Sequence, residues 1–124
     1  MYNKVYFGQL DDQWITIEQF LSGDFQKYVN NAGEIVPHDG CDPALKAEMF
    51  AHYTYVKTQK QLMVLDIQGA KYWLCDPEIA SSQLVDDDEN ILFCNGNFSS
   101  QAIDTFMLQH VCNKFCKLLQ LDKK

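Results

Sequence analysis

The sequence predicts an α+β fold in one compact unit. Three observations predict it. Period-two apolar alternation dominates the first part of the chain. Helical periodicity appears in the middle and again at the end. The composition is that of a folded protein, 47% apolar and 22% charged, with six Gly and three Pro. A chain of 124 residues fits one domain and can bury about two-thirds of its unfolded surface. No internal repeat, linker or low-complexity tract divides it.

The elements follow in order. "NKVYFGQL" (Asn3 to Leu10) reads as a strand, "DD" as a turn, and "QWITIEQFL" (Gln13 to Leu21) as a second strand by its alternation. "SGDFQKYVNNAGEIV" begins and ends on turn residues, and its "NNAG" (Asn30 to Gly33) suits a left-handed or turn conformation. "PHDGCDP" (Pro37 to Pro43) is a loop. A helix follows from about 44 to 57, with Pro43 suited to its first turn and Leu45, Met49, His52 and Val56 near one face. "QLMVLDIQG" (Gln61 to Gly69) is a strand, and "KYWLCDP" is another that Pro77 cuts short at Asp76. The acidic run Asp86 to Glu89 is a solvated loop. Ser99 or Ser100 then caps a helix whose apolar residues are Ile103, Phe106, Met107, His110, Val111, Phe115, Leu118 and Leu119.

Bulk charge excludes some classes. The net charge is −7 and there is no Arg, the usual residue for bidentate phosphate and base contacts, so no nucleic-acid partner is expected. The N-terminus lacks the charged and apolar regions of a signal peptide, and no apolar run is long enough for a membrane segment. A cytoplasmic location is the expectation. Five Cys is an odd count in such a chain and points to reduced thiols or metal ligands rather than a disulfide framework.

Two places carry chemistry. In "LMVLDIQG" the strand period puts Met63, Leu65 and Ile67 on one face and Leu62, Val64, Asp66 and Gln68 on the other. An unpartnered buried carboxylate is costly, so either this strand end is open to solvent or Asp66 has a chemical task. Asp76 follows at the next strand end. Two carboxylates and an amide oxygen suit a hard cation that also holds phosphate oxygens. The second place is "QHVCNKFCKLL" (Gln109 to Leu119). Cys112 and Cys116 share a helix face, but His110 lies about 200° from Cys112 on a regular helix. The three converge on one ion only if the chain kinks near Val111 to Asn113, with Asn113 capping a short final helix. Spacing alone favours a thiol-rich core helix. A fourth ligand would come from His52 in "FAHYTY", with Cys41, Cys75, Cys94 and His38 as rivals. The C-x-x-x-C spacing argues against a redox dithiol.

Taken in order, "WITIEQFLSGDFQKYVNNAG", "AEMFAHYTYVKTQKQLMVLDIQG", "LCDPEI", "FCNGNF" and "AIDTFMLQHVCNKFCKLLQL" resemble the alpha-kinase family of atypical Ser/Thr protein kinases. The resemblance covers residues 12 to 121 and implies the C-terminal lobe of a protein-kinase-like fold, with a mixed or antiparallel sheet, a few helices and a structural zinc. It implies Asp66 as the catalytic aspartate, Gln68 and Asp76 as residues that help hold the metal–ATP, and Glu18, with Phe20 beside it, at the hinge next to the nucleotide base. It implies His52, His110, Cys112 and Cys116 as the zinc ligands. The cofactors would be Zn and Mg-ATP, and the partner a protein substrate.

The sequence also departs from the family pattern. Most of the N-terminal lobe is absent, and nothing in Met1 to Asp11 matches the lysine that contacts ATP phosphates; Lys4 does not. Where the family has a glycine-rich G-x-G-N-L-G, this chain has "CNGNFS": Gly96 and Asn97 remain, while Cys94 and Ser99 replace two glycines. Lys71 replaces a Gly and Cys75 a Thr. Residues 1–124 are thus expected to form one partial domain. Two functions are compatible with it: Ser/Thr protein phosphorylation, weakened or lost in this chain alone, and an inactive zinc-stabilised module that binds proteins or self-associates through the surface facing the N-lobe.

Overall fold

The structure is a computed structural model and describes residues 1–121. Its elements are β1 (Val5–Leu10), β2 (Gln13–Glu18), β3 (Phe25–Val29), α1 (Asp42–Lys57), β4 (Leu62–Leu65), β5 (Ile67–Ala70), β6 (Trp73–Cys75), β7 (Glu78–Ser81), α2 (Ser99–Gln109) and α3 (Lys114–Leu118). The α+β class is as expected, and every strand pair among these elements is antiparallel.

β1 and β2 form a hairpin whose two-residue turn, Asp11–Asp12, has positive φ at both positions, the conformation that matches strand twist. β2 ends at Glu18 rather than Leu21. β3 and β7 were not expected. "FQKYV" and "EIAS" are short, polar at half their positions or flanked by turn residues, and pairing with buried neighbours decides their conformation.

The single strand expected over Gln61 to Gly69 is two strands. Asp66 takes φ +50, and the chain turns there from one sheet into another. β4 pairs with β7, whereas β5 lies between β3 and β6. The alternation of faces stops at Asp66, and all four residues of β5 are buried.

α1 packs across β4 and β3 and touches α3. Its buried stripe is Ala44, Ala47, Glu48, Ala51 and His52. Leu45 and Met49 are half-buried and Val56 is exposed, so small side chains, not bulky ones, face the sheet and let the helix approach it closely. α2 lies on β7 and supplies Ala102, Ile103 and Phe106 to the core formed by Tyr28, Val29, Met63, Leu65 and Ile67. Ser99 is the first residue of α2, not its cap. The nearby Asn97 Oδ1 accepts from the Ser99 amide at 2.8 Å, while Ser99 Oγ donates to the Ser81 carbonyl. α2 ends at Gln109, so Met107, Val111, Leu118 and Leu119 stay exposed. Asn113 caps α3 as the kink requires, accepting from the Phe115 and Cys116 amides.

Candidate functional site

The break between β4 and β5 builds the first cluster. The Lys27 ammonium on β3 sits 2.8 Å from Asp66 Oδ1, a buried oxygen that has no other polar partner among the described residues. Gln68 Nε2 donates to Asp66 Oδ2 at 3.0 Å and to the Asp76 carbonyl at 3.3 Å. Lysine and amide thus take one carboxylate oxygen each and fix the Asp66 side chain. Asp76 also has positive φ, as Asp tolerates at a turn. Asp66 and Asp76 are joined through Gln68 rather than gathered around one point.

A cleft of about 820 Å³ opens beside this cluster, between the hairpin and the end of β6. Tyr2, Thr16, Glu18, Asp76 and Pro77 line it. Burial, then the charges of Asp66 and Cys75, push the Tyr2 phenol up to about 12, so its buried hydroxyl keeps its proton and faces the acidic end of the site. Phe20 is not part of this wall. It is 88% exposed and borders a smaller hollow with Asn3 and Trp73. Gly96 and Asn97 lie apart, in the loop before α2. Asn97 is buried, with Nδ2 donating to Ser81 Oγ and the Leu92 carbonyl and Oδ1 accepting from the Ser81 and Ser99 amides. Its hydrogen bonds tie the loop to the end of β7 and to the start of α2.

The second cluster joins three elements. His52 comes from α1, His110 and Cys112 from the kink after α2, and Cys116 from α3. Their ligand atoms all lie within 4.8 Å of one another, with His52 Nδ1 3.6 Å from Cys112 Sγ and His110 Nε2 3.5 Å from Cys116 Sγ. A tetrahedral ion bonded at about 2.0–2.3 Å sets its ligands about 3.3–3.8 Å apart, so this soft, four-membered donor set fits a metal ion. Cys41, Cys75, Cys94 and His38 are not members. Burial and the neighbouring Cys112 push the Cys116 thiol up to about 11, against the bond from the Asn113 backbone. Burial and the neighbouring His110 lower the His52 imidazole.

A sequence profile of the alpha-kinase family matches residues 2–116. The chain belongs to the alpha-kinase family. It is 38% identical over 111 residues to human transient receptor potential cation channel subfamily M member 6, a span of 89% of this chain and 5% of that protein. It is 35% identical over 109 residues to myosin heavy chain kinase A of Dictyostelium discoideum, a span of 88% of this chain and 9% of the kinase. A crystal structure of the alpha-kinase domain of that kinase with ADP superposes with TM-score 0.82 and 30% identity, over 99% of this chain and 48% of the other. This alpha-kinase chain therefore spans about half of the solved domain.

Two residues of this alpha-kinase chain's clusters escape the sequence. Lys27 lies 39 positions before Asp66 and meets it only because β3 pairs with β5. Glu48 has a local signal: it stands four residues before His52, on the same face of α1.

Proposed function

We propose that this chain carries the catalytic half of an alpha-kinase active site and transfers phosphate from Mg-ATP to a Ser or Thr hydroxyl of a protein. The carrying observation is the Lys27–Asp66–Gln68–Asp76 network beside the cleft that Glu18 lines. Asp66 orients the substrate hydroxyl and accepts its proton, with Lys27 and Gln68 holding its carboxylate. Gln68 and Asp76 hold the metal–nucleotide, and Glu18, with Phe20 near it, borders the base. Mg²⁺ supplies charge neutralisation at the phosphate oxygens. The position of Glu18 and Asp76 on one wall supports this assignment. Gly96 and Asn97 act as loop scaffold. The metal cluster takes zinc and serves the scaffold, because all four positions are filled by protein and none is open to substrate.

The test is phosphotransfer to a generic basic protein with labelled ATP. Asp66→Ala should reduce incorporation by about 100-fold or more. Equal incorporation by both chains would sink the assignment.

One observation favours a second reading, an inactive zinc-stabilised interaction module. The β1–β2 hairpin exposes large apolar groups on both faces: Phe7 and Trp14, 72% and 67% exposed, on one, and Tyr6, Leu10 and Ile17 on the other. A strand pair apolar on both sides is suited to burial within a larger sheet. Sedimentation should then show self-association that Trp14→Asp abolishes. A clean monomer across concentrations argues for the kinase reading alone.

A further inference from the structure

Glu48 is a carboxylate on the alanine-lined face of α1, with only 7% of its surface exposed. Burying a carboxylate costs several kcal/mol unless its oxygens are hydrogen-bonded. Among the described residues its ion-pair partners are two histidines and no lysine. Oε2 lies 2.6 Å from His38 Nε2, and Oε1 lies 3.0 Å from His110 Nδ1. Burial works to raise the Glu48 carboxyl, but the bonds from His110 and His38 outweigh it and hold the group below the ordinary carboxylate range.

The hydrogen bonds fix the protons. The Gly40 amide donates to His38 Nδ1 at 3.0 Å, so His38 carries its proton on Nε2 and donates to Glu48. His110 donates from Nδ1 to the other oxygen. That leaves the lone pair of His110 Nε2 facing Cys116 Sγ, 3.5 Å away, in the tautomer that metal ligation needs. The His110 side chain is 2% exposed and its ring stacks on Phe106, so the ring has little freedom once Glu48 holds it.

We propose that Glu48 is a positioning residue of the metal site. It selects the tautomer and orientation of His110, and it ties the His38 loop to the metal centre. The proposal rests on the zinc reading given above. A carboxylate behind a ligating imidazole is worth about 10–100-fold in metal affinity.

The experiment is zinc titration of the chain against a chromophoric chelator, with the visible spectrum of the cobalt(II)-loaded chain as the second readout. Glu48→Ala and Glu48→Leu should each weaken zinc about 10–100-fold and shift the cobalt bands. Leu fills the space that Ala empties, so packing loss is separated from loss of the acceptor. Glu48→Gln should recover most of the affinity, because its amide oxygen still accepts from His110 Nδ1. Wild-type affinity and an unchanged cobalt spectrum in Glu48→Leu would overturn the proposal, as would a Gln variant as impaired as the Leu one. If the unaltered chain takes up no zinc, the metal reading itself fails. If it does and the variants match it, only the role of Glu48 fails.

Discussion

Single residues settle where the site can form. Gly69 has φ +154, and a Cβ there would stand 1.9 Å from the Trp73 carbonyl oxygen and 2.8 Å from the Leu74 Cα. Both are backbone atoms of β6, so the strain cannot be relieved by a side chain. Gly69 pairs with Leu74, and the adjacent Gln68 pairs with Cys75, the residue before Asp76. A side chain at position 69 would therefore pry β6 from β5 and move Asp76 away from Gln68. Gly69→Ala should cost about 2–3 kcal/mol and lower Tm by roughly 10 °C in a thermal melt. An unchanged Tm would show that β5 and β6 can separate freely. Asp66 and Asp76 accept left-handed backbone at a cost of about 1–3 kcal/mol each, which pairing on both sides sustains.

At the scale of elements, legibility followed locality. The hairpin strands, α1 and β6 are readable because each is specified by neighbours in sequence: alternation, Pro43 in the first turn, Pro77 after Asp76. The apolar pattern alone runs one helix on through Leu119, and the break before α3 follows only if His110 is to be a ligand. His110 cannot join Cys112 and Cys116 on a regular helix, and Asn113 offered the cap. What failed was long-range. "LMVLDIQG" alternates cleanly as one strand, and only the competing partners β7 and β3 on either side of Asp66 divide it. The buried stripe of α1 was misplaced because Ala carries a weak hydrophobic signal, yet it is what fits where a helix lies close on a sheet. Ser99 does not act as the cap because α2 begins on it: Phe98 holds the cap position, and the Ser99 hydroxyl donates instead to the Ser81 carbonyl of β7. Asp66, Gln68 and the four His and Cys were visible as chemistry. Lys27 and Glu48 were not, because their partners come from other elements.

For the whole molecule, the His/Cys cluster is a tie between distant parts of the chain. It joins α1 to the kink and α3, across 64 residues from His52 to Cys116. α3 has five residues, too short to persist alone, and Leu118 and Leu119 are exposed and contribute little burial. Besides the His/Cys cluster, its attachments to α1 among the described residues include Asn113 to the Leu45 carbonyl at 3.0 Å, the surface pair Lys114–Asp42, and the Lys46 ammonium 5.1 Å over the Phe115 ring. An exposed ion pair adds at most about 1 kcal/mol. Metal that binds only the folded chain stabilises it by mass action, about 2.7 kcal/mol at a hundredfold excess over Kd. Chelation with a strong zinc ligand should therefore lower Tm by roughly 10 °C and restore it when zinc is returned. Hydrogen exchange should quicken first in residues 110–121, while β4, β5 and β7 stay protected. A chelated chain stripped of metal that melts at an unchanged temperature would mean that the cluster's own packing holds the C-terminal segment, and the structural role assigned to zinc would fall.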